Sequence, residues 1–461
     1  MYSQTPGTAL PPGLVGVLDK NFQESQDQTF FLDGGGFYRN RNQNFVTKVA
    51  PAPPPKYSNG TISDTLEAFD ENGEIHSRIF TALKPVYITM RLLGILPVIQ
   101  YGLVFTSAAK WIIYSFLVLC SIMGFLIYLR YFNITITRNA EGRFEEAVVD
   151  YLFTVYLLPI VVNLIAFYEA RKQAEVLTQF VTFERIYTRT FRKRISLDMG
   201  TKPMIITSML LMLGCGIMVV THFSMADNVS YQVIPYCYVN VVTYIIGGAW
   251  YIYCDVIGTV ATSIAEEFQV ALRKTEHSER VADYRSLWMM LSKIIRNVGN
   301  AFGYQVTFLC LYLFFVITLT VYGLLSQIQE GMGYKDIGLA ITGISAVVML
   351  YFICDEAHYA SSCVRTYFQK KILLVELSFL SEDAQQEINM FLRATEMNPT
   401  DMCLCGFFDV NRNLFKSLLA TMVTYLVVLL QFQISIPAGD GELGNSTLPP
   451  SSFLNKTKLK I

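Results

Sequence analysis

Charged side chains are scarce in this chain of 461 residues. Asp, Glu, Lys and Arg make up 16% of it, against about 25% in a soluble globular domain. This deficit, together with 52% hydrophobic residues, indicates a membrane protein rather than a soluble domain. The net charge of −1 also excludes the basic footprint expected of a nucleic-acid-binding protein.

Histidine and cysteine are too scattered for a metal centre or a disulfide framework. The four histidines show no HExxH pattern and no metal-ligand spacing, and the nine cysteines include no CxxC. Because no nucleophile–base pair stands out either, no enzyme activity, metal or cofactor is predicted. The N-terminus lacks a basic-then-apolar signal peptide, so insertion is expected to start from the first spanning helix.

Long hydrophobic runs are what the chain has in abundance. A helix needs about 20 mostly apolar residues to cross a bilayer. Seven runs of about this length or longer are predicted to span it, at 111–129, 147–168, 204–225, 233–265, 298–328, 337–354 and 417–436. The fifth run has 31 uncharged residues, so it is expected to tilt or to extend beyond the bilayer.

The segments between these runs complete a predicted all-α membrane protein. Residues 1–76 are rich in proline and glycine and lack periodicity, which indicates a disordered cytosolic tail. Residues 77–110 are basic and amphipathic, and are predicted to lie at the inner interface or to form a re-entrant segment. The remaining order is transmembrane helices one to four (111–265), a cytosolic helical extension (266–297), transmembrane helices five and six (298–355), cytosolic anchor helices (356–412), a pore-lining seventh helix (413–437) and an extracellular tail (438–461).

Two patterns place the N-terminus in the cytosol and the C-terminus outside. Of the 36 Lys and Arg residues, 29 fall in four segments that the positive-inside rule assigns to the cytosol, namely 1–110, 169–203, 262–303 and 356–416. Among the N-glycosylation sequons, Asn59 alone lies on the predicted inner side. The others lie on the predicted outer side and are the expected glycosylation sites, Asn133, Asn228, Asn445 and Asn455.

Polar residues interrupt the last hydrophobic run. Gln431 and Gln433 stand in an otherwise apolar stretch, and an amide left unsatisfied in hydrocarbon is costly. One helical face collects four residues, with two aromatic residues beside it: Thr424, Val428, Gln431 and Ser435, then Tyr425 and Phe432. This face is predicted to line a pore, or else to pack so that its amide bonds to a neighbouring helix.

Helix caps are predicted in the segment before that run. Ser381, followed by Glu382 and Asp383, is a predicted N-cap with acidic residues in the first turn. The amphipathic helix that follows is expected to end at Asn398. Asp409 is predicted to cap the helix that leads into the last span.

Several motifs resemble those of one receptor family. The last run reads TY, five apolar residues and then QF, which resembles the C-terminal signature of insect gustatory receptors. Further stretches resemble the carbon-dioxide receptor subunits of that family, and the similarity covers roughly 80–437. They are FEEAV at 144–148, YQVIPYC at 231–237, VADYRSLW at 281–288, ICDEAHYAS at 353–361, EINMFLRATEMNP at 387–399 and GFFDVNRNLFK at 406–416.

The resemblance implies a tetrameric, ligand-gated, non-selective cation channel with the insect chemoreceptor fold. It implies partnership with a related gustatory receptor subunit in the plasma membrane of sensory neurons, and carbon dioxide or bicarbonate as the ligand. It also implies that four copies of the last helix surround the pore, with Val428, Gln431 and Phe432 at the gate. A ring of apolar side chains can close such a pore by dewetting.

Buried polar residues in the predicted spans are candidates for the ligand pocket, which the resemblance places among helices two to six. They are Asp150, Asn163, His222, Asn240, Tyr244, Tyr304 and Gln305. A binding site for carbon dioxide needs only a tight cavity with a donor or two, so it leaves almost no sequence signature. Two alternatives stay open: the same channel fold gated by a sugar or an odorant, and a secondary transporter, against which no internal repeat is visible.

Overall fold

The computed structural model describes residues 77–137, 159–225, 233–274, 278–327, 334–376, 378 and 380–435. Over these residues the chain is overwhelmingly helical. The helices are α1 (Arg78–Leu92), α2 (Ala109–Thr137), α3 (Pro159–Phe191), α4 (Lys202–Met225), α5 (Val233–Lys274), α6 (Ser278–Ala301), α7 (Gly303–Gln327), α8 (Tyr334–Ser362), α9 (Phe368–Leu373), α10 (Glu382–Met397) and α11 (Arg412–Ser435). Two antiparallel hairpins join them, β1 (Val98–Tyr101) with β2 (Val104–Ser107) and β3 (Cys403–Leu404) with β4 (Phe408–Asp409).

Five of the described helices are long and apolar enough to cross a membrane. Their spans are Ala109–Leu129, Lys202–Ser224, Val233–Leu272, Gly303–Leu325 and Ile337–Leu373. The second predicted run lies mostly outside the described residues, and the seventh falls in α11, whose 24 residues are sufficient in length. The count of seven therefore stays a prediction.

Helix α5 is the centre of the bundle. It packs against α4, α8 and α1, and nearly all side chains of its middle part, residues 239–261, are buried. At 42 residues and 1.5 Å per residue it is roughly 63 Å long, about twice the thickness of the hydrocarbon core. Part of α5 therefore extends beyond any bilayer that its apolar part spans.

Two buried tryptophans, one on α5 and one on α6, bond to the C-terminal half of the chain. The Trp250 indole donates to the Ile353 carbonyl at 3.1 Å, and the Trp288 indole donates to the Val364 carbonyl at 2.7 Å. Both side chains are fully buried. Because an unpaired indole N–H would be costly in such an apolar setting, these bonds select one packing arrangement for α5, α6 and α8.

The segment at 77–110 forms helix α1, the β1–β2 hairpin and the first residues of α2. Its position at the inner interface or as a re-entrant segment stays a prediction. Ser77 caps α1 by accepting from the Phe80 amide, and its hydroxyl donates to Glu184 of α3. The Glu184 carboxylate also accepts from the Arg78 and Ile79 amides. In the β1–β2 turn Gly102 has φ +58°, a conformation that favours glycine.

The fifth predicted run is not one helix, which corrects the span expected at 298–328. Helix α6 ends at Ala301 and α7 begins at Gly303, with the buried Phe302 between them. No proline or charge marks this break in the sequence, although Gly299 and Gly303 stand on either side of it. Its cause is tertiary, since side chains of α3 bind the backbone groups on both sides of the break.

The cap predicted at Ser381 is confirmed, whereas the cap predicted at Asp409 is wrong. The Ser381 side chain accepts from the Ala384 amide, and α10 ends at Asn398 as expected. Asp409 lies in β4, and α11 begins three residues later. Asn411 caps α11 instead, because its Oδ1 accepts from the amides of Asn413 at 2.9 Å and Leu414 at 3.0 Å.

Candidate pore helix and ligand cavity

Helix α11 is held at its N-terminal half and exposed towards its C-terminal end. Leu414, Phe415 and Leu418 pack against the core, and the Phe415 ring lies 5.6 Å from the Tyr351 ring of α8. Further along, Met422 is the last buried residue of the described part of this helix. Apolar side chains beyond it, such as Val423, are exposed, so this end of α11 presents a face for lipid, a second chain or a pore.

The predicted gate residues lie on this exposed part of α11. Thr424, Val428 and Gln431 are all exposed, and the Thr424 hydroxyl donates to the Ala420 carbonyl at 3.1 Å. The Tyr425 ring packs 6.1 Å from Phe314 of α7 although the side chain is 55% exposed. Phe432 belongs to the helix, but its side chain lies outside the described part of the structure.

A small cavity lies among α4, α5, α7 and α8. Its volume is about 10 Å³, roughly that needed for one water molecule. Two predicted pocket residues, Asn240 and Tyr244, line it. The other lining residues are Ile217, Thr243, Tyr312, Leu313, Val316, Thr342, Ser345, Ala346 and Met349.

Hydrogen bonds hold the polar residues of this cavity in place. The Asn240 side-chain amide donates to the Gly214 carbonyl of α4 at 2.8 Å, and the hydroxyls of Thr221 and Thr342 bond at 2.8 Å. Gly214 permits close contact of α4 with α5, since a Cβ there would lie 3.1 Å from the Val241 Cα. The cavity is thus a polar spot inside an otherwise apolar helix interface.

The sequence reasoning missed the contribution of α8 to this cavity. Thr342, Ser345, Ala346 and Met349 all line it. Their spacing of i, i+3, i+4 and i+7 places them on one helix face. Two hydroxyl residues on the inward face of a spanning helix were the available signal, but neither is ionisable.

The other predicted pocket residues do not join this cavity. Asn163 is buried on α3, and His222 is buried in the last turn of α4 beside the Phe223 ring, with 5.9 Å between the ring centroids. Tyr304 and Gln305 lie together at the start of α7. The predicted pocket is therefore divided among separate places, and Asp150 falls outside the described residues.

Tyr304 and Gln305 belong to a polar cluster at the α6–α7 break. The Glu169 carboxylate of α3 accepts from the Tyr304 amide at 2.8 Å and from the Gln305 amide at 3.3 Å. Glu169 is fully buried, and this burial raises the pKa of its carboxyl from 4.5 to about 7 against the lowering effects of the two amides and Lys172. Glu169 was not predicted because it follows directly after an expected span.

A larger cavity of about 360 Å³ lies at the base of α11. It is lined by charges of both signs, and some of them are paired: Arg412 donates to Asp355 of α8 at 2.5 Å, which raises the pKa of the arginine. The described residues contain no group of three or more His, Cys, Asp or Glu side chains that could hold a metal ion.

Comparison of the sequence with known proteins shows the family of this chain. The sequence profile described as "7tm Chemosensory receptor" matches residues 83–436. The chain is a member of this chemosensory receptor family. It is 50% identical over 362 residues to gustatory and odorant receptor 24 of Anopheles gambiae, covering 78% of this chain and 79% of the relative. It is 26% identical over 451 residues to gustatory and odorant receptor 21a of Drosophila melanogaster, covering 93% and 94%.

The fold of this chemosensory receptor is that of a solved insect olfactory receptor. The structure of OR5 from Machilis hrabei matches it with a TM-score of 0.55 at 12% sequence identity, covering 77% of this chain and 98% of that one. OR5 in complex with eugenol matches with a TM-score of 0.56 at the same identity and coverage. The predicted all-α insect chemoreceptor fold is thereby confirmed.

Membership of the family also confirms that the chain is a multi-pass membrane receptor and not an enzyme. A chemosensory receptor family implies the predicted location in the membrane of sensory neurons.

Proposed function

We propose that the chain is a subunit of a ligand-gated, non-selective cation channel that responds to carbon dioxide together with a related gustatory receptor subunit. The small cavity among α4, α5, α7 and α8 is the observation that carries the choice of ligand. The resemblance of the motifs to carbon-dioxide receptor subunits, and two relatives named gustatory and odorant receptors, support the same proposal.

The size and polarity of the cavity favour a very small ligand. Carbon dioxide is linear and uncharged, and its oxygens accept hydrogen bonds. Tyr244, Thr342 and Ser345 place hydroxyl groups around the cavity. The Thr342 and Ser345 hydroxyls donate to the Gly338 and Thr342 carbonyls, so a ligand that bonded to them would replace one of these bonds. Pockets for drug-sized ligands have volumes of roughly 300–1,000 Å³, so a cavity of about 10 Å³ disfavours a sugar or an odorant of the size of eugenol.

The exposed end of α11 supports a pore-lining role. Four copies of the face that carries Thr424, Val428 and Gln431 would surround a central pathway, with Tyr425 and Phe432 beside it. The apolar Val428 and Phe432 would form the dewetting constriction and the Gln431 amide would line the open state. Helix α7 contacts both α11, through Phe314 and Tyr425, and the cavity, through Tyr312, so it can transmit ligand binding to the pore.

Co-expression with related subunits tests the proposed function. We expect an inward cation current during a carbon dioxide pulse at fixed external pH, and none with either subunit alone. A current evoked only by sugars or odorants would support the alternative ligand class. Uptake of a substrate that stays free of channel current would support a transporter.

Filling the cavity should abolish the response. Ala346 is buried and lines the cavity, so Ala346→Val adds two methyl groups where a small ligand would lie. We expect the carbon dioxide response to fall at least tenfold while the amount of receptor at the cell surface is unchanged. Ala340→Val, on the same helix but away from the cavity, is the matched control. An equal response in both variants would contradict this site.

A further inference from the structure

We propose that protonation of Glu169 releases the N-terminus of α7 at the α6–α7 break and thereby changes the open probability of the channel. We call this arrangement the latch, and it responds to acidification on the side of the membrane that the break faces. This inference rests on the proposed channel function. It concerns a site distinct from the ligand cavity, built from side chains of α3 and from backbone groups at the facing ends of α6 and α7.

Two residues of α3 bind both helix ends at the break. Glu169 accepts from the Tyr304 and Gln305 amides and so caps α7, where a negative charge also complements the helix dipole. Gln173 lies one turn further along α3, and its side-chain amide donates to the Ala301 carbonyl at the end of α6 at 3.4 Å. The break between α6 and α7 is therefore held from one neighbouring helix.

The same cluster contains the partner that a protonated Glu169 requires. Gln173 and Gln305 are fully buried and bond to each other at 3.2 Å. The Oε1 atom of Gln173 has no hydrogen-bond partner among the residues that the structure describes. Because Gln173 is at i+4 from Glu169 on the same face of α3, a protonated carboxyl can donate to this oxygen. Glu169 thus has two satisfied states, one that caps α7 and one that bonds within α3.

The break is joined to the pore helix by the β3–β4 hairpin. A Cβ at Gly299 would lie 2.7 Å from the Cys403 carbonyl oxygen, and one at Gly303 would lie 3.1 Å from the Cys405 amide, so the hairpin contacts both sides of the break directly. Asn411 caps α11 two residues after the hairpin. Movement of the α7 N-terminus is therefore passed to the base of α11.

Within the described part of the chain, few ionisable groups face Glu169. On its own helix Lys172 lies over the rings of Tyr168 and Tyr304, with 5.4 and 5.7 Å from its Nζ to the ring centroids. From α7 the facing ionisable group is Tyr304 itself, and from the β3–β4 hairpin it is Cys405, whose pKa burial raises. Glu169 is the group of this cluster whose pKa burial brings to about 7.

Amide hydrogen exchange of the purified receptor in nanodiscs tests the latch without requiring a current. In the wild-type chain we expect the amides of Tyr304 and Gln305 to exchange at least fivefold faster at pH 6 than at pH 8, after correction for the intrinsic rate. In Glu169→Gln the corrected rates should be equal at the two pH values. Equal protection in the wild-type chain would overturn the proposal.

Inside-out patches then test the effect on the pore. With ligand held constant, we expect the wild-type open probability to change with a midpoint near pH 7 on the face that carries the break, and Glu169→Gln to be insensitive. Glu175→Gln, an exposed carboxylate on the same helix, is the control and should behave as wild type. The same pH dependence in all three chains would overturn the latch, whereas no current in any chain would count against the channel function only.

Discussion

Glu169 and Gln431 are polar residues in apolar parts of the chain, and they differ in burial. Glu169 is fully buried and accepts two backbone amides, so its charge is compensated by hydrogen bonds at a desolvation cost. Gln431 is exposed on α11, and a polar side chain at membrane depth is expected to face protein or water rather than lipid. The first residue therefore bears on stability, and under the proposed channel function the second bears on the pathway for ions.

The pKa of Glu169 makes the stability of the fold depend on pH. The folded carboxyl titrates at about 7 and an ordinary one at 4.5, so the folded state keeps a proton that the unfolded state loses. The stabilisation is fully present below pH 4.5 and is lost as the pH rises through 7, by about 3 kcal/mol at most. We expect the melting temperature in detergent to fall by a few degrees between pH 5.5 and pH 8.

Glu169→Gln removes the titrating group while keeping its size. The fall in melting temperature over this pH range should shrink in Glu169→Gln, and it should persist in Glu175→Gln. If Glu169→Gln keeps the full fall, another group controls the pH dependence.

Gln431 should influence ion selectivity if α11 lines the pore. Gln431→Glu adds a charge with little change in volume, and four copies would form an acidic ring that attracts divalent cations. We expect the calcium-to-sodium permeability ratio to rise at least twofold, measured from reversal potentials. Gln100→Glu makes the same chemical change in the exposed β1–β2 hairpin and should leave the ratio unchanged. An unchanged ratio in Gln431→Glu would contradict a pore-facing position.

At the scale of elements, helix ends and close contacts decide the architecture. The α6–α7 break exists because α3 supplies partners for the backbone groups that it exposes. Gly299 and Gly303 then let the β3–β4 hairpin contact the helices at backbone distance. These features involve residues distant in sequence, and each one positions the hairpin that precedes α11.

Gly299→Ala should therefore weaken the docking of the hairpin. In a helix such a change normally stabilises by about 1 kcal/mol, but here the added Cβ would lie 2.7 Å from a backbone oxygen. We expect a lower melting temperature and less receptor at the cell surface. Gly216→Ala is the matched control, since nothing lies within 4 Å of its Cβ position, and it should be neutral or slightly stabilising. Similar losses in both variants would exclude a specific contact at Gly299.

At the scale of the whole molecule, the direction of insertion decides which residues meet the stimulus. The proposed orientation places the β3–β4 hairpin, α10 and the base of α11 in the cytosol. It places the exposed end of α11 towards the outside. The distribution of Lys and Arg supports this orientation. Under it, the latch at Glu169 lies near the inner surface of the membrane.

Glycan mapping tests that orientation. In cells we expect N-glycans on sequons at the outer side, and removal of the glycans by a glycosidase should increase the mobility of the chain on a gel. Replacing all four outer asparagines by glutamine should abolish the shift; they are Asn133, Asn228, Asn445 and Asn455. Asn59→Gln is the control and should change nothing. Loss of the shift in Asn59→Gln alone would reverse the predicted topology.

The sequence by itself determined the class of the protein and much of its helical framework. Scarce charge and long apolar runs are sufficient to indicate spanning helices, because the bilayer imposes length and apolarity locally. The cap at Ser381 and the end of α10 at Asn398 were predictable for the same reason, since they depend on neighbours within a few residues. The family followed from motifs such as VADYRSLW at 281–288.

Only the tertiary structure decided where the polar residues meet. Asn240 and Tyr244 lie in one cavity with Thr342 and Ser345. Tyr304 and Gln305 lie instead at the α6–α7 break. Hydrogen bonds such as that between Glu169 and Tyr304 join residues 135 positions apart, and nothing in the local pattern records them. Apolarity assigns a helix to the membrane, but the pairing of buried donors and acceptors determines which helices meet, and that pairing exists only in the folded chain.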